Sequence, residues 1–581
     1  MSPRAPDTLS VRRLRWLYLA LGIAGVVIGL RLAYLQVVQH SLYVGLATGE
    51  HQRKNEVPAN RGQIYLLDGS TKVPLALDES LKLLYADPSL IKDKAATAQK
   101  LAAATGDPAA TYLGDFDKGG EYQVLKGRVD TAMASRVQAL NLYGVGLVSQ
   151  DYRTYPEGSL ASQVLGFVND GGDGQYGIEG YLNKELKGTP GLLNAKIDTN
   201  GIPIATADNV SRAPVDGTSV VLTLDRNIQA EAEKFIQQGV TNVNAESGSI
   251  VVLDPNTGAV KAMANYPSFD PNNYNQVTNY NTFQNGVVSD DFEPGSVFKV
   301  FTMATGLDTG KITPISTYTD NGCDQVDSYQ VCNAENHKEG PNTSMTVVLR
   351  DSLNTGAMYV LRLLGTDPNA VTKLAKQTYY TYLTQHFGFG KLTGIEQSNE
   401  AAGVVNPPTS SDVNYANMTF GQGISATMLQ VASAVGSIAT GGKLYQPYLI
   451  ERRINVNGSE RVTQSRVTNA HVISPTAAAA LTGMMEVTVQ HGSGYLAYTP
   501  GYQIAGKTGT AQIPNPTGPG YLPDQNIGTF VGFAPASAPK FVVMVRINKP
   551  KTQGFAETTT VPVFANLTRW LLQYYAVPPS S

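Results

Sequence analysis

The sequence predicts an α/β domain, with an antiparallel sheet flanked by helices, preceded by a mixed α+β domain and one N-terminal transmembrane helix. Three observations carry that expectation: an apolar run near the N-terminus, hairpin signals far apart at Ser249–Ala264 and Thr529–Ile547, and helical stretches between them. Strands at both ends of a segment with helices in its middle imply one sheet assembled from sequence-distant hairpins and covered by those helices.

The chain has 581 residues, 42% apolar and 16% charged, with 57 Gly and 32 Pro, a composition that reads as folded and rich in turns. A net charge of −3 supplies no basic field of the kind a dedicated nucleic-acid binder needs. Two cysteines exclude a disulfide scaffold.

Residues 1–15 carry Arg4, Arg12, Arg13 and Arg15 against Asp7, and Trp16–Leu30 follows without a charge. Those fifteen residues make only about 22 Å of helix, short of a hydrocarbon core of about 30 Å. Continuing through Arg31 to Val38 gives 23 residues and about 34 Å, with Arg31 near the far end, where it snorkels to headgroups or pairs with a partner helix. A cleaved signal peptide would have a shorter apolar region and a small-x-small site, which QHSLYVGLA does not offer. Residues 1–15 are therefore expected in the cytoplasm, 16–38 as a single-pass anchor, and the remainder outside the plasma membrane.

Residues 39–225 mix short strand-like runs with Gly-rich turns, among them RGQIYLLDG from Arg61, YPEGSLASQVLGFV from Tyr155 and YGIEGYLNKELKGTPG from Tyr176, and contain no obvious catalytic cluster. Val220–Asp225 reads as a strand and Arg226–Val240 as a helix, so the second domain is taken as 226–581. Its first hairpin turns on Asp-Pro-Asn-Thr-Gly; its second is TFVGFA and KFVVMVRI around a Pro/Ser/Ala turn. Helices are expected at Ser296–Leu307, Thr346–Leu364 and Ala426–Thr440, with Pro562–Tyr575 as a closing helix. Cys323 and Cys332, nine residues apart, are placed to close a small disulfide loop outside the membrane. Two alternatives stand beside it: a zinc site with His337, although C-x8-C is not a compact knuckle, and two free thiols.

Ser296-Val-Phe-Lys299 follows Glu-Pro-Gly, so the serine is expected on the first turn of a helix, with Lys299 on the same face three residues on. A serine hydroxyl needs a neighbouring base to become a nucleophile, and a lysine serves when burial and nearby cations lower its pKa. Helix N-terminal N–H groups add a place for a developing oxyanion. The pattern alone is weak, since Ser89–Lys92 and Ser537–Lys540 repeat it. Ser352-Leu-Asn354 adds a hydroxyl and a carboxamide fit to move a proton and hold a peptide amide, although Asp351, Ser352 and Asn354 equally fit ordinary helix caps. Gly501–Thr508 fits G-x-x-x-x-G-K-T, but the residues that follow are too rich in Gly and Pro to form the helix a phosphate loop needs. As a strand, Lys507, Thr508, Gly509 and Thr510 instead offer an ammonium, two hydroxyls and accessible backbone to a carboxylate.

The ordered set Ser-x-x-Lys, Ser-x-Asn and Lys-Thr-Gly is far more specific than any member, and it matches that of penicillin-binding proteins and serine β-lactamases. Over nearly its whole length the chain resembles a class B penicillin-binding protein, a monofunctional peptidoglycan D,D-transpeptidase, the division (FtsI-like) type more than the elongation type. Supporting stretches are Arg61-Gly62, YPEGSLASQVLG, YGIEGYLN, LDPNTGAVKAMANYPSFDPN and FGQGISATMLQVA. One departure follows Arg61-Gly62, where the family has a more polar run than this chain's Ile-Tyr-Leu-Leu-Asp-Gly. The resemblance implies a serine β-lactamase/DD-peptidase-like fold for 226–581 and a non-catalytic pedestal of the dimerisation type for 39–225. It implies Ser296 as nucleophile and Lys299 as base, with Ser352 as proton relay and Asn354 holding the peptide amide. Lys507, Thr508, Gly509 and Thr510 would bind the terminal carboxylate, and the backbone N–H groups of Ser296 and Thr510 would form the oxyanion hole. Stem peptides on nascent glycan are the implied substrate, β-lactams covalent inhibitors, and no metal or cofactor is required. Because the chain has no glycosyltransferase signature, a membrane-embedded polymerase of the shape, elongation, division and sporulation (SEDS) class and divisome proteins are the implied partners. Rival readings are a carboxypeptidase or β-lactamase-like hydrolase, a penicillin-sensing receptor, for which one span is too few, and a catalytically silent divisome scaffold.

Overall fold

The computed structural model describes residues 8–40, 52–196, 210–515, 517–518, 520–551 and 555–579. Arg4 and Asp7 of the expected cytoplasmic N-terminus lie outside the described residues, as do 41–51 and 197–209 of the expected pedestal. The chain divides into two units.

The first unit comprises 1–60 and 188–216. In it α1 (Thr8–Ala33) runs on through a π turn at Tyr34–Val38. The span Arg13–Val38 has 26 residues, and an 18-residue stretch within it has a mean hydropathy of 1.9 and no burial against protein. Its length and apolarity fit a single-pass membrane anchor. Strands Gln52–Val57, Gly191–Lys196 and Val210–Arg212 form a three-stranded antiparallel sheet in the same unit.

The second unit comprises 61–187 and 217–581. One of its sheets runs in the order Glu460–Val462, Ile450–Ile454, Ser219–Asp225, Ile64–Asp68, Thr71–Ala86, Gln123–Val129, with Val145–Thr154 also paired to Thr71–Ala86. Ile64–Asp68 and Ser219–Asp225 pair in parallel and the other neighbours antiparallel. Segments on both sides of residue 225 thus share one sheet. Beside it Glu179, fully buried, accepts from Arg61 Nε and Arg153 Nε, each at 2.7 Å. Arg153 also pairs with Asp78 at 3.0 Å and donates to Gly62 O at 2.8 Å. This network ties the Arg61-Gly62 motif to the YGIEG motif.

Of the stretches expected to mix strand-like runs with Gly-rich turns, Arg61–Gly69 carries the strand Ile64–Asp68 and Tyr155–Val168 ends in the strand Phe167–Val168, but the short helices Ser162–Leu165, Gly177–Tyr181 and Asn183–Lys187 also form. Helices also form at Lys94–Thr105, Ala109–Asp117 and Thr131–Ala139, where Ala-rich sequence favours them and Asp93 and Asp130 cap two of them. They bury Leu101, Tyr112, Phe116 and Val137 together.

A second sheet is built from β1 (Ser247–Leu253), β2 (Val260–Tyr266), β3 (Ala505–Pro514), β4 (Tyr521–Ala534) and β5 (Phe541–Asn548). Its order is β2-β1-β5-β4-β3, antiparallel throughout, so β3 is an edge strand. The two hairpins read from sequence supply four of its five strands, and β3 adds the edge. Side chains alternate faces along each strand. Ile250, Val252, Val543 and Val545 share a core with α2 (Arg226–Asn242), whereas Val251, Leu253, Val542 and Met544 enter the other core. Burial on both faces explains why IVVL and FVVMV are continuous apolar runs rather than alternating ones. The second core holds α3 (Lys299–Asp308), α4 (Asn354–Leu363), α5 (Met428–Ala439) and α6 (Pro475–His491). The closing helix α7 (Val561–Tyr574) joins α2 in the first core.

The single helix expected over Thr346–Leu364 is in fact two, Met345–Arg350 and α4. Ser352 lies between them with φ 61°, in the left-handed region, where a right-handed helix cannot continue.

Candidate active site

Ser296 sits on a 3₁₀ turn, Gly295–Phe298, that feeds α3, rather than on a regular α-turn. Gly295 has φ 65°, a conformation glycine takes without steric penalty. With three residues per turn, positions i and i+3 eclipse, which stacks Lys299 over the serine. Lys299 Nζ lies 2.8 Å from Ser296 Oγ. Lys299 is fully buried; its amine donates to Ser352 O at 2.6 Å and lies 3.1 Å from Ser352 Oγ. The left-handed turn at Ser352 is what points both its carbonyl and its hydroxyl at this amine. Burial, and secondarily the Lys507 charge, hold the Lys299 pKa well below the usual lysine range. An uncharged amine with an N–H already committed to a carbonyl keeps its lone pair for the Ser296 proton.

Lys507, also fully buried, places Nζ 3.0 Å from Ser352 Oγ on the opposite side and donates to Thr508 O at 3.0 Å. Burial lowers it to about 8, opposed by the charges of Glu557 and Asp351. Ser296 Oγ, Lys299 Nζ, Ser352 Oγ and Lys507 Nζ thus form a chain with each link at hydrogen-bond distance.

Along β3, Lys507 and Gly509 share one face and Thr508 and Thr510 the other. Thr508 Oγ1 is 2.7 Å from Ser493 Oγ. Thr510 Oγ1 accepts from Ala556 N at 3.1 Å, which leaves its own proton free to donate. Thr529 on β4 fastens the strand to the serine turn, its hydroxyl shared between Pro294 O at 3.2 Å and Gly509 O at 3.1 Å. A Cβ on Gly509 would meet Val297 N at 2.9 Å and Pro294 O at 3.0 Å, so only glycine lets β3 lie this close to the turn. Beside Thr510 and Gln512 opens a cavity of about 1130 Å³, lined also by Glu335, Lys549 and Phe555.

Comparison with known proteins gives the same constellation a family. The penicillin-binding protein transpeptidase domain matches residues 248–569, and the penicillin-binding protein dimerisation domain matches 56–222. The chain belongs to the penicillin-binding proteins. It is 30% identical to stage V sporulation protein D of Bacillus subtilis over 98% of this chain and 86% of that protein. It is 32% identical to penicillin-binding protein PbpB of Mycobacterium tuberculosis over 95% and 83% respectively. Among solved structures it is similar to M. tuberculosis penicillin-binding protein 3 complexed with aztreonam, at 28% identity and a TM-score of 0.70, covering 91% of this chain and 98% of that one.

In this penicillin-binding protein Asn354 is the first residue of α4, and its Nδ2 donates to Cys332 O at 2.8 Å. Cys332 ends the hairpin Cys323–Val326/Tyr329–Cys332, whose terminal cysteines face each other and are joined by a disulfide. His337 pairs with Glu339 at 2.8 Å. None of Asp351, Ser352 and Asn354 caps α4; its cap position is Leu353, which makes no side-chain cap bond. Gly501–Thr508 leads into β3, so no phosphate-loop helix follows.

Four contributors escaped sequence reasoning. Phe420 stands 5.9 Å from Lys299 Nζ, Gly421 O accepts from Gly295 N at 3.0 Å, and Thr529 and Ser493 brace β3. Each is remote in sequence from the residue it supports and carries no local pattern. FGQGISATMLQVA is one of the stretches that carry the resemblance, but nothing in its sequence announces a contact with the serine turn.

Proposed function

We propose that the protein is a penicillin-sensitive peptidoglycan D,D-transpeptidase that cross-links stem peptides through a Ser296 acyl-enzyme, in septal synthesis during cell division. The observation that carries this reading is the chain Ser296 Oγ–Lys299 Nζ–Ser352 Oγ–Lys507 Nζ with a buried Lys299 held below its usual range. Lys299 takes the Ser296 proton as Oγ bonds to the penultimate D-Ala carbonyl of a stem ending in D-Ala-D-Ala. The N–H groups of Ser296 and Thr510 stabilise the oxyanion. The C–N bond to the terminal D-Ala then breaks, its nitrogen receiving a proton through Ser352. Asn354 holds the donor amide, and Lys507 with Thr508, Gly509 and Thr510 holds the terminal carboxylate. An amine of a neighbouring strand next attacks the ester, passes a proton to Lys299 and displaces Ser296, which regains its hydrogen. A β-lactam acylates the same oxygen and stays.

Support for the septal role comes from relatives: a protein of Mesostigma viride named peptidoglycan D,D-transpeptidase FtsI homolog is 28% identical over 77% of each chain. Residues 39–225 serve as a non-catalytic pedestal and 226–581 as the transpeptidase domain. The arginines at 12, 13 and 15 before the anchor favour a cytoplasmic N-terminus and an extracytoplasmic catalytic domain. The anchor, with Arg31 near its far end, is the contact to a membrane-embedded SEDS-class polymerase, and divisome proteins complete the assembly.

The test is to give the detergent-solubilised protein glycan strands bearing pentapeptide stems, digest with a muramidase and read products by mass spectrometry. Cross-linked dimers with release of one D-alanine per bond are expected. Tetrapeptide monomers alone would make it a hydrolase and overturn the reading.

A further inference from the structure

Asn354 and the residue after it, Thr355, are each held from outside their helix, and both restraints come from one dipeptide. Cys332 O accepts from Asn354 Nδ2 at 2.8 Å, which fixes the carboxamide. The next residue, Asn333, turns its Oδ1 to the N–H of Thr355 at 3.0 Å. Thr355 is the second residue of α4, and its N–H is one that an N-cap side chain ordinarily satisfies. Leu353 at the cap position has no side-chain acceptor, so Asn333 caps α4 through space.

Asn333 is itself held at every polar atom of its side chain. It is 4% exposed, and its Nδ2 donates to Asp320 at 3.0 Å and to His337 O at 2.9 Å. Asp320 is fully buried, and its partners are hydrogen-bond donors: Gly322 N at 3.0 Å, Glu339 N at 2.9 Å and Thr355 Oγ1 at 2.8 Å, besides Asn333. A buried carboxylate satisfied in this way tolerates little movement, because any lost donor leaves charge unsolvated. The backbone N–H of Asn333 closes the block by donating to Gly322 O at 2.8 Å.

We infer that Asn333, anchored by Asp320, is a positioning residue of the transpeptidase: it fixes the start of α4 and, through the adjoining Cys332 carbonyl, the carboxamide of Asn354. This rests on the proposed reading of Asn354 as the group that holds the donor amide. Neither residue lies in the three motifs, and neither makes contact with Ser296, Lys299 or Lys507 among the hydrogen bonds of the described residues.

The test is a double-mutant cycle on the detergent-solubilised full chain, reading the rate constant for acylation by a fluorescent penicillin at saturating concentration. Asn333→Ala is expected to slow acylation about tenfold, the scale of losing one fixed hydrogen bond. If Asn333 acts through Asn354, the double variant Asn333→Ala/Asn354→Ala is expected to be no slower than Asn354→Ala alone. A merely structural role would make the two losses multiply, as would independent sites, and that result overturns the inference; so does an Asn333→Ala rate equal to wild type. Should Asn333→Ala lose its melting transition, Asn333→Gln, which keeps the carboxamide but moves it by one methylene, takes its place in the same cycle with the same two readings. Wild-type protein that takes no label would overturn the acyl-enzyme reading and this inference with it, whereas labelled wild type with multiplying losses overturns this inference alone.

Discussion

Gly509→Ala isolates the contact on which the whole site depends, the approach of β3 to the serine turn. The new methyl would sit 2.9 Å from Val297 N and 3.0 Å from Pro294 O, and would also press on Thr529 Oγ1. Ordinary contacts of this kind lie at about 3.5–4.0 Å, so strand and turn must part by about 0.5–1 Å. Two of the three obstacles are backbone atoms and cannot rotate aside. Overpacking of this size costs about 1–3 kcal/mol of stability. Displacing a nucleophile from its partners by about 1 Å costs about a hundredfold in rate. The expected outcome is a second-order acylation constant with fluorescent penicillin about a hundredfold below wild type, with a melting temperature lowered by only a few degrees. Adding Thr529→Ser, which deletes a methyl and keeps the hydroxyl, is expected to restore little, because the backbone clash remains. Acylation by Gly509→Ala within about threefold of wild type would refute the claim that strand and turn must lie this close for catalysis.

Other expectations follow from the same geometry. Lys507 is protonated below about 8 and neutral above it. Acylation by a carboxylate-bearing β-lactam is therefore expected to fall as pH rises through that value, and Lys507→Arg, which stays charged, is expected to abolish that limb. Lys299 must be uncharged to accept the serine proton, and burial favours that form; the acid limb is expected well below the usual lysine range, and an acid limb near the usual lysine pKa would contradict the assignment of the base. Ser352→Ala removes the hydroxyl between the two amines and is expected to slow acylation about 10²–10⁴-fold at little cost in melting temperature, and an unchanged rate would remove Ser352 from the relay. Arg153→Met leaves buried Glu179 with Arg61 as its remaining cationic partner and is expected to destabilise the fold by about 1.5–3 kcal/mol, the loss of hydrogen bonds to charged groups. Thermal and urea unfolding indistinguishable from wild type would show that the network adds nothing.

The sequence revealed what repeats a local pattern and hid what depends on distance. Ser296, Lys299, Ser352, Asn354 and Lys507 are legible because three short motifs in a fixed order carry them; the structure links Ser296, Lys299, Ser352 and Lys507 in one hydrogen-bonded chain and bonds the Asn354 carboxamide to Cys332 O. The two hairpins of the sheet are legible because IVVL and FVVMV are strand-like runs bounded by turn residues. The break at Ser352 was not legible: a left-handed φ at a serine has no sequence signature, and Thr346–Leu364 keeps helical spacing across it. The supports at Phe420, Gly421, Thr529 and Asn333 were hidden for another reason. Each acts on a residue that only tertiary folding brings near, as Thr529 does on Pro294, 235 positions away. The Ala-rich helices between residues 94 and 139 carry a helix-propensity signal of their own, set among strand-like runs and Gly-rich turns.

The most direct test of the central claim is a time course over hours of fluorescent penicillin on wild-type protein beside Ser296→Ala, with intact mass and the labelled peptide identified. One adduct on Ser296 that persists for hours and is absent from the variant is the result expected of a transpeptidase acyl-enzyme. Label on another residue, label surviving in Ser296→Ala, or release within minutes would contradict it.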